Sequence, residues 1–431
     1  MTTTAPGYLT GLRAPVADEI GAVDLKVTGT LPAELNGRYF RNGPNPLPGA
    51  DPGHWFAGAG MVHGVRLRDG RAEWYRNRWV ETKRGRYVDP ETGRVDLDVS
   101  TANTSVIRHA GRILALVESS HPYELTPELD TVGPVDFGGR LTTAMTAHPK
   151  EDPVTGELHL FGYAFRPPFL TYHRISASGE LIHTSTVEGP GATMMHDFAI
   201  TANHVVWLDL PVVFDMEKVG KALPFSWSDA YGARIGLMRH DGTGLRWFDV
   251  EPGYVFHVGN AFEDELGRVT LEAVRYTRES FAGIWGYVGA VPNSARHHGS
   301  VLHRWTVDPA TGTVTETDLD DRDVEFPSID EGRTGRPTRY LYAVTGGEIV
   351  KYDAEGAASV RDLGVVPGEA EFVPRPGATA EDDGWLLSIV TDREGSGSDL
   401  LVLDAASLET VAAVHLPRRV PMGFHGTWIN D

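Results

Sequence analysis

The sequence predicts an all-β fold, a propeller of roughly six to eight four-stranded blades, on three observations. Tight-turn signatures recur along nearly the whole chain, flanked by stretches that alternate apolar and polar residues. Helical periodicity is confined to two short pieces, 215–223 and 226–231. The 431 residues exceed a single sandwich, and no strand–helix alternation marks a parallel sheet.

Taken in order, residues 1–35 form an irregular lead-in, because Pro6, Pro15 and Pro32 interrupt any helix. Three turns are then near copies: Asp89-Pro90-Glu91-Thr92-Gly93, Asp152-Pro153-Val154-Thr155-Gly156 and Asp308-Pro309-Ala310-Thr311-Gly312. In each, Pro presets φ at the first corner, Asp can bond the backbone two residues on, and Gly takes the position with φ > 0. Further turns stand at Asp69-Gly70, Ala110-Gly111, Ser178-Gly179, Asp241-Gly242, Leu266-Gly267 and Glu355-Gly356. Flanks such as Arg268-Val269-Thr270-Leu271-Glu272-Ala273-Val274 alternate as strands do. Residues 209–232 differ, being apolar and broken by Pro211 and Pro224. They form either a loop packed over the propeller face or an apolar mouth that takes substrate from a membrane surface or micelle. No Ser/Gly tract, charge block or shift in composition marks a linker, so 1–431 is expected to be one domain.

Composition narrows the function. Lys plus Arg number 39 against 59 Asp plus Glu, a formal charge of −20. This argues against a nucleic-acid partner, which needs a basic footprint, and against electrostatic adhesion to anionic lipid. The absence of cysteine excludes disulfides, thiolate metal sites and cysteine nucleophiles. The N-terminus lacks a basic stretch followed by an apolar run, and no segment approaches the ~18 consecutive apolar residues of a membrane span. A cytoplasmic location, with peripheral membrane contact at most, and no obligate protein partner are the expectations.

Four histidines stand in similar settings: His148 in Thr146-Ala147-His148-Pro149-Lys150, His196 in Met195-His196-Asp197-Phe198, His257 in Phe256-His257-Val258-Gly259-Asn260, and His425 in Phe424-His425-Gly426-Thr427-Trp428. Their gaps match no local zinc motif, and each judged alone is more often structural than a ligand. A propeller, however, brings residues from distant blades together. His109, His159, His173, His183, His204 and His303 have no special setting. His54 and His63 flank a Gly-rich stretch and are expected to hold a tight turn; its glycine spacing is not that of a dinucleotide site.

The chain resembles the carotenoid cleavage oxygenases, non-haem iron enzymes that include the apocarotenoid and lignostilbene oxygenases. The resemblance runs from Gly37-Arg38-Tyr39-Phe40-Arg41-Asn42-Gly43-Pro44 through Phe56-Ala57-Gly58-Ala59-Gly60-Met61, Ala147-His148-Pro149-Lys150, His196-Asp197-Phe198, His257-Val258-Gly259-Asn260 and Glu325-Phe326-Pro327 to His425-Gly426-Thr427-Trp428. It implies a seven-bladed propeller, capped on one face by loops and short helices, with one Fe(II) on its axis held by His148, His196, His257 and His425. Imidazole suits Fe(II). The resemblance also implies that Glu118, Glu325 and Glu369 bond the outer N–H of three ligands, leaving His148 without a carboxylate. Glu371 competes with Glu369, because the Pro expected after that glutamate is Ala370 here.

The implied reaction adds O2 across a C=C bond to give two carbonyl products, with Thr104 limiting what binds beside the metal. Val117, Met194 and Phe256 are the implied pocket residues, all apolar and suited to a polyene or aryl alkene. Stilbene-cleaving members typically place Lys before the first glutamate, where this chain has Val117. An apocarotenoid is therefore the leading substrate and a stilbenoid or phenylpropenoid the alternative. A non-oxidative isomerohydrolase and an apolar-ligand binding propeller are the readings outside oxygenase chemistry.

Overall fold

The computed structural model describes residues 6–89, 91–219, 223–288 and 299–431. Among these, strands form seven sheets of four to six strands and one separate two-stranded hairpin. These are the blades of a seven-bladed, all-β propeller. By contacts the chain divides into two units, one comprising Met1–Val117, Pro122–Val135 and Arg339–Asp431, the other Glu118–His121 and Asp136–Thr338.

In the first unit the chain ends interlock. Strand Gly37–Pro44 pairs antiparallel with Gly426–Asn430, Phe40 opposite Thr427, and Val27–Gly29 pairs with Thr410–His415. Beneath them lies a core that includes Tyr39, Trp385, Leu387 and Val402, all fully or almost fully buried. Strand Gly384–Thr391 is buried along its whole length, which its unbroken run Trp385-Leu386-Leu387-Ser388-Ile389-Val390 allows.

The second unit holds three four-stranded sheets, each a chain-ordered meander. The first runs Lys150–Glu151, Leu158–Tyr163, Leu170–Ile175 and Leu181–Thr186. Burial falls across it: Leu158–Tyr163 is buried but for its last residue, whereas Leu181–Thr186 alternates buried or half-buried with exposed positions. The sheets therefore present apolar inner strands and polar outer edges, and a residue just before a first strand sits at the inner edge of its blade. His148 precedes Lys150–Glu151, His196 precedes Ala199–Ile200, and His257 lies in Tyr254–Glu263, the first strand of its sheet.

The repeated turns form as their composition dictates. Asp89, Asp152 and Asp308 each accept, through Oδ1, the backbone N–H two residues on at 2.8 Å, and the closing glycines have φ of 68°, 67° and 78°. Pro90 of the first copy lies outside the described residues.

The expected helices at 215–223 and 226–231 are not found. Val212–Phe214 and Phe225–Trp227 instead pair as a hairpin, with only a short 3-10 turn at Met216–Lys218; residues 220–222 lie outside the described residues. Local polar bonds favour the hairpin: Asp215 accepts from Glu217 N–H and Ser226 Oγ–H, and Lys218 Nζ donates to the Phe225 carbonyl. A helix not anticipated spans Arg278–Val288, its start capped by Thr277 Oγ1, which accepts from Ser280 N–H at 3.2 Å. His54 caps the turn Trp55–Ala57 as expected, but His63 lies within strand Gly60–Arg68 and bonds Tyr75 Oη. No helix among the described residues is long and apolar enough to cross a membrane.

Candidate metal centre

In the second unit His148, His196 and His257 come together, each offering a ring nitrogen within 4.8 Å of the others. Nε2 of His148 and Nε2 of His196 are 3.0 Å apart, and the ring centroids lie 4.6 to 5.4 Å from one another. Two nitrogens each ~2.1 Å from one metal and at right angles to each other would stand ~3.0 Å apart. The donor set therefore fits a divalent transition metal, for which imidazole is a common ligand.

Outward-facing nitrogens fix the rings. Nδ1–H of His196 donates to Glu118 Oε2 at 2.6 Å, and Nδ1–H of His257 donates to Glu325 Oε2 at 2.5 Å. Each carboxylate is itself held by a tyrosine: Tyr163 Oη–H donates to Glu118 Oε1 and Tyr276 Oη–H to Glu325 Oε1, both at 2.7 Å. With Nδ1 committed as a donor, Nε2 presents its lone pair inward. Burial pushes the His196 pKa down, but the Glu118 carboxylate more than offsets this and leaves it raised. Burial likewise pushes Glu325 up, and the His257 contact outweighs it, so Glu325 stays below the usual carboxylate range and charged.

Local backbone irregularity aims these side chains. Pairing of Tyr254–Glu263 with its neighbour slips on both sides of Val258, next to His257, a bulge that redirects the strand. Phe326 adopts φ of 52°, which turns its N–H back to Glu325 Oε2 at 2.6 Å and lays its ring on His257 at 5.0 Å.

The first unit repeats the motif once. His425 Nδ1–H donates to Glu369, 3.1 and 3.2 Å from its two oxygens, and Gly426 N–H donates to the same carboxylate at 2.8 Å. A Cβ at residue 426 would collide with the Tyr39 hydroxyl, which accounts for the glycine. Glu371 turns elsewhere, accepting from Trp428 N–H at 3.2 Å. Thr104 lies along the same stretch, its carbonyl accepting from His425 N–H at 3.3 Å.

The remaining expected residues are placed as follows. Phe256 packs edge-on against His196 at 5.5 Å and belongs to an aromatic group with Tyr254, Tyr276 and Phe281. Met194 is buried, and its carbonyl accepts from Tyr254 Oη–H at 3.0 Å. Val117 is half-buried, immediately before Glu118. Sequence reasoning gave no role to Tyr163, Tyr276 or Asp197. Asp197 Oδ1 accepts from Phe198 N–H and from Lys150 Nζ, and Oδ2 from Val258 N–H, at 2.8 to 2.9 Å. The one available signal was a Lys and an Asp lying one or two residues from ligands in otherwise apolar motifs.

Comparison with known proteins shows which family the chain belongs to. A carotenoid cleavage oxygenase of Mycobacterium tuberculosis is 42% identical over 98% of this chain and 97% of its own. The structure of Pseudomonas brassicacearum lignostilbene dioxygenase superposes with a TM-score of 0.88 over 100% of both chains at 28% identity. That of cobalt-substituted Synechocystis apocarotenoid oxygenase does so with a TM-score of 0.81 over 97% of each at 27% identity. The family described as retinal pigment epithelial membrane protein matches residues 13–430, and the chain belongs to that family, the family of the carotenoid cleavage oxygenases.

Proposed function

We propose that the protein is a non-haem Fe(II) dioxygenase that cleaves one C=C bond of an apocarotenoid, adding one oxygen atom of O2 to each carbon and releasing two carbonyl products. The observation that carries this reading is the convergence of one ring nitrogen from each of His148, His196 and His257, with the Nδ1–H groups of His196 and His257 spent on carboxylates. His425, backed by Glu369 in the same way, is the fourth ligand of the proposal. Fe(II) supplies the binding and activation of O2 when present.

The chain's own residues do the rest. Glu118 and Glu325 fix the rings of His196 and His257, Glu369 fixes that of His425, and their charge would offset that of a divalent ion held by neutral ligands. C=C plus O2 gives two C=O with no net proton transfer, so the site needs no acid or base. Phe256 and Met194 supply an apolar wall against which a polyene is held by burial. Thr104, beside His425, restricts the room next to the metal. Met216 and Val219, 73% and 50% exposed, fit a substrate taken up from a membrane surface by a cytoplasmic enzyme.

Likeness to a lignostilbene dioxygenase supports a second reading, a stilbenoid substrate. Val117 argues against it, since it offers no charge to a phenolate. Mass spectrometry of products from apocarotenals and stilbenes under labelled O2 tests both. Two singly labelled carbonyl fragments from an apocarotenal are expected. Ester cleavage or isomerisation without O2 uptake would replace the proposal with an isomerohydrolase.

A further inference from the structure

A second group of metal-binding side chains lies in the second unit, away from the three histidines above. Asp152, His159 and His240 each place a donor atom within 4.8 Å of the other two. Asp152 and His159 are only 3% and 1% exposed, and the rings of His159 and His240 stand 4.6 Å apart. Three segments meet here: the Asp152–Gly156 turn, the strand Leu158–Tyr163, and the turn that follows strand Arg234–Arg239 of the next sheet.

The outer atoms of all three side chains are already engaged. His240 Nε2 lies 3.2 Å from the backbone carbonyl of His204; a carbonyl only accepts, so the proton is on Nε2 and Nδ1 carries a lone pair. His159 Nδ1 bonds Tyr172 Oη at 2.7 Å, which leaves Nε2. Asp152 Oδ1 takes Val154 N–H at 2.8 Å and lies 3.5 Å from Arg336 Nη2, which leaves Oδ2. Among the described residues, none of these three remaining atoms has a hydrogen-bond partner. Burial, then the neighbouring His240 and Arg174, pushes the His159 pKa down to about 2, and burial lowers that of His240, so both rings are neutral at pH 7. Arg174, one of two nearby charges that would oppose a cation, is paired with Glu157 at 2.7 Å. Arg336 holds the carboxylate from behind, as partners of metal-bound carboxylates do.

We propose that Asp152, His159 and His240 form a second divalent-metal site, of the zinc type, that clips two neighbouring blades of the second unit together. Two imidazoles, one carboxylate oxygen and a water complete a tetrahedral set. This inference is independent of the oxygenase reading.

The test is the zinc content of the full-length protein, stripped with chelator, reloaded with zinc alone and desalted. A His196→Ala/His257→Ala variant, which removes the first centre, is expected to retain one tight zinc and to gain in Tm on reloading. Adding His240→Ala or the milder Asp152→Asn, which keeps the turn's Val154 bond, is expected to abolish both effects with an unchanged circular dichroism spectrum. A His196→Ala/His257→Ala protein that retains no zinc would overturn the proposal. So would zinc retention that neither further substitution reduces.

Discussion

The Asp197 carboxylate accepts the backbone N–H of Val258 at 2.8 Å, tying the residue after His196 to the residue after His257. Its other oxygen takes Lys150, two residues beyond His148, at 2.9 Å. One carboxylate, 2% exposed, therefore joins the three segments that carry His148, His196 and His257. The relative placement of the three imidazoles thus depends on this carboxylate.

Asp197→Asn should consequently lower stability by ~3 kcal/mol, since it leaves Lys150 without its buried partner. It should also lower iron retention. Adding Lys150→Met should recover most of the stability but not the iron, because the Val258 tie stays weakened. Denaturant unfolding alongside metal analysis checks this; recovery of both would reduce Asp197 to a charge partner.

Glu118→Gln should retain most of the iron and reduce turnover ~10- to 100-fold. Gln can still accept from Nδ1–H of His196, so ring orientation survives while the charge that strengthens the ligand is lost. Single-turnover kinetics at measured iron content is the check, and an unchanged rate would remove Glu118 from the support of the metal.

Val117→Lys should move preference toward 4-hydroxystilbenes. An ammonium beside Glu118 offers a phenolate a charge-assisted bond, worth ~10-fold or more in relative kcat/KM. Flat selectivity across a stilbene and apocarotenal panel would show that Val117 does not face the substrate.

Acid should destabilise the fold through buried histidines that are not among the proposed metal ligands. Burial, followed by His183, pushes His173 down to about 4, while Thr143 and Thr184 occupy its two nitrogens. Burial and Arg13 do the same to His54, also to about 4. Between that pH and ~6.5 the unfolded chain binds protons the folded one does not, so stability falls as pH falls. Each group contributes a slope of ~1.4 kcal/mol per pH unit in that window and none above it. Urea unfolding from pH 7.5 to 5 measures the slope, and His173→Gln should reduce it.

What the sequence disclosed divides by distance along the chain. The Asp152–Gly156 and Asp308–Gly312 turns were readable because Asp, Pro and Gly act within five residues, and counting such turns was enough for an all-β fold. The meeting of His148, His196 and His257 was not readable from spacing, since it depends on three sheets placing their first strands inward. It came from resemblance. Tyr163 and Tyr276 stayed hidden because each reaches a carboxylate tens of residues away in the chain, and the bulge beside His257 has no residue signature. The helix Arg278–Val288 was masked by Gly283 and Gly286, weak helix formers that tertiary packing of Phe281 on Phe256 and Tyr254 overrides. The opposite error at 226–231 arose where Phe225–Trp227 finds a strand partner in Val212–Phe214.

The most direct measurement is X-ray absorption of the iron-loaded protein, combined with iron content of the His196→Ala, His257→Ala and His425→Ala variants. The account predicts one iron per chain with imidazole scattering from four histidines, lost on substitution of any of the three. Full iron occupancy in each variant, or a spectrum without imidazole scattering, would contradict it.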